Sequence, residues 1–444
     1  MISVIIQNGR FIMTNHALVI NKNFPPFKHR MRFVWSCMFG LSLGLSTSYS
    51  IAASTDYVAL VAPVAQQQPE ALMRAGLQSL SDANKSLSQR WLSDAMSITV
   101  THENDALTDN LDTQNWAAGL EFSVLLPKQK ESLKGVSEAY QSQLTVQQEY
   151  LNWLASGKLR QLTWAYKKAQ VEADLAESAF KNSLELKENV KRKVEVGDSA
   201  QLDLLLAEKF VLEQQALAEQ KLGQLNLIKK EFSFWTNQSE LPQEIVEHRQ
   251  SSLPLHKHPE LRWIQSAYDV SKAQYAQQKT MNQDGPSFFV GAQNDKNRAE
   301  DNTFLFLEVS IPIGKAPMNL VNVAEKKQAL QTQRIELKRA EQSLNVAILA
   351  ADQAILMSEK RRVLAEKQNQ IAQETLRLAE QSYQLGESSI QSLLLIKKDA
   401  LVARLNVELA NASLDQTIAN ANQVKGYPLV MQGNSSTVLE RGNK

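Results

Sequence analysis

Cysteine is almost missing from this chain: 444 residues contain one, Cys37. It follows Val34-Trp35-Ser36, where the bulky Trp35 makes a poor lipidation context, so neither a disulfide nor a lipid anchor is expected. An excess of one charge is missing too. Lysine and arginine number 48 against 47 acids, which excludes the basic surface that binds nucleic acid. Five of the basic residues and none of the acids fall in the first 53 positions, so the remainder is mildly acidic at 43 against 47. There is no nucleotide-cradling glycine loop, no nucleophile elbow and no carboxylate pair in a pocket-like context. No enzyme chemistry and no cofactor is therefore expected. His256-Lys257-His258 with His248 invites a metal reading, but a stable site needs more ligands at defined geometry, and a solvated linker is the plainer expectation. His258, just before Pro259, fits better at the start of a helix.

The apolar run Phe33 to Leu45 is too short and too interrupted to cross a membrane as a helix. Preceded by Met31-Arg32 and followed by Ser50-Ile51-Ala52, which offers small residues at a plausible cleavage site, it reads as a secretory signal. Residues 1–53 are thus an upstream extension and signal peptide, with Met31 as the expected start, and 54–68 form a short lead.

Between Asn319 and Lys425 there is no proline and one glycine, Gly386. The stretch is rich in Ala, Leu, Glu, Gln, Lys and Arg, the strongest helix formers. Leu330, Leu337 and Leu344 recur every seven residues, as do Leu364, Ile371, Leu378 and Leu385, the spacing of a coiled-coil seam. Gly386 can take φ > 0, and Ser388-Ser389 can restart a helix, so two long antiparallel helices are predicted to meet there. The first, 319 to 385, would span roughly 100 Å at about 1.5 Å per residue.

The chain also repeats itself. Pro69-Glu70 matches Pro259-Glu260 at an offset of 190. The strands opening at Ser97 and Ser287, and the Asn-Asp pairs at Asn104 and Asn294, keep that offset. Leu120-Glu121-Phe122-Ser123-Val124 matches Leu307-Glu308-Val309-Ser310-Ile311 at 187, and Gly197 matches Gly386 at 189. A periodic pattern alone would not keep helix, strand, loop, strand, helix, turn and helix in one order. The expected organisation is repeat 1 over 69–235, a linker over 236–258, repeat 2 over 259–426 and a flexible tail over 427–444. Polar loops are predicted from His102 to Asn115 and from Ala292 to Thr303, carrying Asn104, Asp105, Asp109, Asp112, Asp295 and Asp301. Each second strand should end at a breaker, Pro127 or Gly314.

Strands of eight to eleven residues are the length a tilted membrane strand needs. Leu120, Phe122 and Val124, with Leu307, Val309 and Ile311, alternate with Glu121, Ser123, Glu308 and Ser310, so one face is apolar and the other polar. A soluble strand pair alternates in the same way. Here the flanking helices leave no segment to cover the apolar face, which can turn to lipid instead. Four strands cannot close a barrel, and hydrocarbon does not tolerate an open edge, so several protomers must combine. Two would give eight strands and a filled interior; three would give twelve and a conduit. Trp116, Phe304 and Phe306 could form an interfacial girdle. Glu121 and Glu308 could set the charge of the lumen.

This order of elements resembles the TolC-type outer-membrane efflux proteins. The residues that carry the likeness are Val196-Gly197 and Leu385-Gly386 at the helix tips and His258-Pro259-Glu260-Leu261 opening the second half. The resemblance implies a mainly α fold with a small β part. Three copies would assemble a 12-stranded outer-membrane β-barrel, continued by an α-helical barrel in the periplasm of a Gram-negative bacterium. It implies a homotrimer in outer-membrane lipid, working with a periplasmic adaptor and an inner-membrane pump, the RND type being expected. The role would be a passive exit duct for small molecules or metal cations. A type I secretion duct or a periplasmic coiled-coil adaptor is the alternative. The tips at Val196, Gly197, Leu385 and Gly386 would meet the adaptor. The closing tyrosine of the family falls on Tyr383, but its arginine position holds Ser388 and its two aspartate positions hold Ser392 and Leu395. Asp203, Tyr383 and Ser392 are the candidates for the pore entrance, with Asp203 the one remaining acid.

Overall fold

The computed structural model describes residues 6–7, 10–11, 56–105, 113–281, 285–313 and 317–429. The expectations for the signal segment, Met31, Cys37, Asp109, Asp112 and Gly314 lie outside these residues. Near the N-terminus Ile6–Gln7 (β1) pairs antiparallel with Arg10–Phe11 (β2).

From residue 56 onward the two repeats are laid out alike. A short helix, Val61–Gln67 (α1), precedes Met73–Gln89 (α2), the hairpin Ser97–Asn104 (β3) and Gln114–Ser123 (β4), the 69-residue helix Pro127–Glu195 (α3) and its return Gln201–Thr236 (α4). The second repeat gives Pro259–Thr280 (α5), Ser287–Lys296 (β5), Asp301–Ser310 (β6), the 68-residue helix Pro317–Gln384 (α6) and Ile390–Val424 (α7). Pro127, Pro259 and Pro317 each open a helix, where the missing N–H costs nothing.

Each tip turn is a glycine with positive φ, +85° at Gly197 and +77° at Gly386. The backbone closes the same way in both: Asp198 N donates to Lys193 O at 2.8 Å, and Glu387 N to Ser382 O at 2.9 Å. These six-to-one bonds satisfy carbonyls that the helix end would otherwise leave bare. The return helices, at 36 and 35 residues, cover only half of their long partners. The other half of α3 is covered by α2 and α5, and α5 also packs on α6. The expected pair of very long helices is thus one long helix and one of half length.

The strands reach further than the sequence pattern suggests. Asn104 lies in β3, Asp295 in β5 and Asp301 in β6, so these three are strand residues rather than loop residues. The β5–β6 connection shrinks to 297–300, tied by Asn297 Oδ1, which accepts from Ala299 N and Glu300 N. Polar side chains pair across this end, Asn294 Nδ2 donating to Asp301 Oδ1 and Thr303 Oγ1, which is why it resembles a loop in composition.

The largest apolar core joins distant segments at mid-height of α3. Tyr57, Leu60, Val61 and Val64 from the lead pack with Leu159, Trp164, Phe232, Ile245 and Leu429. Tyr427–Leu429, assigned above to a flexible tail, are docked: Leu429 is buried and its N–H donates to Ser156 Oγ at 3.0 Å.

Candidate functional site

The four-stranded antiparallel sheet runs in the order β3-β4-β5-β6. Directly opposed residues share a face, and the period of two assigns every side chain. Ile98, Leu120, Val290 and Leu307 form one cross-strand row; Val100, Ala118, Ala292 and Leu305 form the next. Phe122 stacks on Phe288 at 5.6 Å in the row that also holds Val309. Val124 and Ile311 follow just past the ends of β4 and β6, Val124 bridging to Leu92. The apolar face expected from sequence is therefore assembled from both repeats. It is uncovered, Leu305 being 90% exposed.

The opposite face is polar and concave, enclosing a groove of about 450 Å³. Glu121 and Glu308 lie on it, in register on either side of Phe289. Thr99 Oγ1 donates to Glu121 Oε2 at 3.2 Å. Gly119 and Gly291 oppose each other in its floor. A Cβ on Gly119 would sit 2.7 Å from Phe289 Cζ, and one on Gly291 would sit 2.4 Å from Ala118 O. Only glycine allows this approach. The aromatic girdle does not form as one set: Trp116 lies on the apolar face stacked on His102 at 4.1 Å, whereas Phe304 and Phe306 lie on the polar face. Adjacent register positions point to opposite faces, which separates residues that look alike by position. Phe289, its edge contact with Phe306 at 5.7 Å and the two glycines are the features that sequence reasoning missed.

At the far end the two hairpins pack on each other. Val190 and Ala207 from repeat 1 meet Ile390 and Leu393 from repeat 2, with Tyr383 against them. Lys193 Nζ stands 4.5 Å from the centre of the Tyr383 ring. Burial pushes the Tyr383 pKa up, and the nearby Asp203 carboxylate adds to the shift. Asp203 sits in the first turn of α4, where its Oδ2 accepts from Ala200 N at 3.3 Å, a stabilising use of negative charge at a helix N-terminus. Ser392 is exposed, and its N–H donates to Ser389 Oγ at 3.3 Å. Val196, Leu202, Leu385 and Leu395 are exposed around the two glycines. Asp203 and Tyr383 are thus brought together, and Ser392 is left outside that contact.

Between sheet and tips, the linker and chain end are tied to α3 by a buried polar knot. Arg160 is 0% exposed and its partner Glu247 2%. Nε and Nη2 donate to the two carboxylate oxygens at 2.7 Å each, and Nη1 donates to Tyr427 O at 3.0 Å and to the Gln423 side chain. Asn422 Nδ2 donates to Glu247 Oε2 at 3.1 Å. Lys425 and Arg249 both reach Asp352, whose carboxyl they hold below the usual range. His258 is buried at the N-cap of α5, with Nε2 3.2 Å from Val424 O and its ring edge-on to Trp153. Burial lowers its pKa, partly offset by that hydrogen bond. Among the described residues no group of three His, Cys, Asp or Glu side chains could hold a metal ion.

The chain has the fold of the outer-membrane efflux channels. It aligns with CusC, a transmembrane channel, at TM-score 0.64 and 15% identity over 83% of this chain and 92% of that one. The outer-membrane channel CmeC of Campylobacter jejuni gives 0.63 and 12% identity over 87% and 89%. The open state of the outer-membrane channel MtrE of Neisseria gonorrhoeae gives 0.61 and 15% over 84% and 89%. No protein-family model and no curated protein sequence matches the chain.

Proposed function

We propose that the protein is an outer-membrane exit duct, a passive channel assembled from three copies and fed from the inner membrane through a periplasmic adaptor. The carrying observation is the sheet: four strands with a bare apolar face, a polar concave face and two open edges, β3 and β6. In lipid an unpaired edge is not tolerated, so β6 of one copy pairs with β3 of the next. Three copies give twelve strands and leave a lumen, whereas eight would fill with side chains.

The helices support the same closure. Leu364, Ile371 and Leu378 on α6, with Leu385 just past its end, keep heptad spacing yet face solvent, Ile371 being 69% exposed. The intrachain contacts of α6 use Leu376, Ala379 and Tyr383 instead. On the other hairpin Leu205 and Leu212 of α4 form a second bare stripe. Two different stripes on one protomer suit a head-to-tail contact that closes as a ring. The exposed tip residues Val196, Leu385 and Leu395 suit an apolar socket on the adaptor. The cargo reading, small molecules or metal cations moved by an RND-type pump, rests on the resemblance of the sequence to the TolC-type proteins alone.

The test is fractionation of cells making the full chain, followed by single-channel recording in planar bilayers. A heat-modifiable trimer in outer membranes, with steady conductance, is expected. Leu305→Arg on the lipid face should deplete that trimer, since a charge at mid-bilayer costs about 2–4 kcal/mol per copy. A soluble or inner-membrane monomer sinks the proposal.

A further inference from the structure

The polar face of the sheet carries more than water-facing serines and threonines. Among its described residues are four carboxylates, Glu103, Glu121, Asp295 and Glu308, and no lysine or arginine. Two of them, Glu121 and Glu308, flank Phe289 in one cross-strand row. With neighbouring strands about 4.8 Å apart, their Cα atoms lie roughly 10 Å from each other across that ring. Phe289 lies across Gly119, and Phe306 closes on its edge at 5.7 Å. The groove that holds these groups is about 450 Å³, within the range of small-molecule sites.

Two carboxylates on either side of Phe289, with Phe306 against its edge, make a definite chemical demand. A cation is drawn by both acids and by the ring face, and an apolar or aromatic body replaces water against Phe289 and Phe306. An anion meets repulsion from each side. Glu121 is partly anchored by Thr99 Oγ1 at 3.2 Å, so one of the acids is preset. Glycines in the floor let the rings lie close to the strands and keep the groove open above them. Glu121 and Glu308 are repeat-equivalent at an offset of 187, so both hairpins contribute one acid to the same row.

We propose that this groove is a binding subsite for aromatic organic cations, held between Glu121 and Glu308 over Phe289 and Phe306. The assignment rests on the duct reading only in placing the groove on a lumen wall; the binding itself is a property of the sheet. It gives the barrel a cargo preference of its own, for cationic over anionic aromatics, independent of the pump below.

Ethidium binding to the purified full-length protein in neutral detergent tests it, read by fluorescence anisotropy, with 8-anilinonaphthalene-1-sulfonate as the anionic counterpart. Glu121→Gln with Glu308→Gln removes charge at two exposed positions without changing shape. The expected result is saturable ethidium binding whose Kd rises about tenfold in the double variant, with anion binding unweakened. Phe289→Leu should weaken ethidium severalfold and leave the charge dependence in place. A change below threefold in the double Gln variant, or tighter binding of the anion by the wild type, overturns the proposal. Planar-bilayer recording on the same preparation separates the two readings. Channels without charge-dependent ethidium binding remove the subsite alone, and charge-dependent binding by a protein that forms no channels removes the duct alone.

Discussion

Arg160→Met is the sharpest probe of how the middle of this protein is held. The side chain lies wholly inside and spends its donors on Glu247, Gln423 and Tyr427, which belong to the linker and the chain end. Methionine fills much of the space but takes the guanidinium away from a buried carboxylate. Breaking a buried pair from one side costs about 3–5 kcal/mol, because the remaining charge keeps its desolvation penalty. At about 1.4 kcal/mol per factor of ten, local opening becomes roughly two to three and a half orders of magnitude more frequent. Hydrogen exchange with mass spectrometry reads this directly. The reporting amides are Gln250 N on Asn422 Oδ1, Leu253 N on Lys425 O, Tyr427 N on Asn422 O and Leu429 N on Ser156 Oγ. Their protection should fall by at least a hundredfold, while tip peptides around Gly197 stay unchanged. Replacing Glu247 by Leu in the same protein should restore most of it, since an apolar pair of similar volume is often as stable as a buried ion pair. A loss under tenfold in the single variant would refute the reasoning. So would a double variant as damaged as the single, which would assign the effect to packing.

Two further substitutions follow from the same region and the tips. Gly426 has φ +93°, and a Cβ there would lie 2.7 Å from His258 Cδ2, so Gly426→Ala should lower the melting temperature by several degrees; Gly386→Ala, with open space around it, should cost only the roughly 1–2 kcal/mol of the left-handed conformation, confined to tip exchange. His258 has a folded pKa below its unfolded value near 6.5, so the unfolded state takes up the proton first. The stability it contributes is full above about pH 6.5 and is lost as pH falls toward the folded pKa, at up to about 1.4 kcal/mol per pH unit. Opening of the 253–262 segment should therefore rise between pH 7 and pH 5, and His258→Asn should flatten that dependence; an equal slope in the variant would assign it to another group.

What the sequence discloses about this fold is what local physics dictates. Gly386 is legible because it is the one glycine in a long helix-forming stretch, and Gly197 because it matches Gly386 by repeat; both adopt the positive-φ cap, whereas Gly135, Gly157 and Gly223 stay inside helices. The apolar face of the sheet is legible because alternation with period two is a local property, and Leu120, Leu307 and their neighbours share one face. The seam at Leu364, Ile371, Leu378 and Leu385 is legible as a stripe, but its own chain does not cover it, and spacing says nothing about which partner does. Asn104, Asp295 and Asp301 mislead because polar pairs at a strand end have the composition of a turn. The knot is not legible at all. Arg160 and Glu247 are 87 residues apart, and nothing near either marks it as a buried charge among so many surface ones.

The two repeats keep some chemistry and lose other chemistry, and the difference follows their surroundings. In the sheet they match: Leu120 with Leu307 on the apolar face, Glu121 with Glu308 on the polar one. In the proposed barrel every strand would meet the same lipid surface and the same water-filled lumen, so both hairpins would face one demand. At the tips the equivalent positions differ, Asp203 in repeat 1 and Ser392 in repeat 2. There the cap geometry is common, but the charged groups set against Tyr383 come from one side. Lys193 and Asp203 come from the first hairpin, while Tyr383 comes from the second and is held against them. In the proposed trimer, a partner that docks on the tips would thus meet two unlike faces alternating around a ring, and could engage one while leaving the other free to move. That asymmetry is affordable only where the hairpins end, beyond the shared sheet and the knot at Arg160 that fix their spacing.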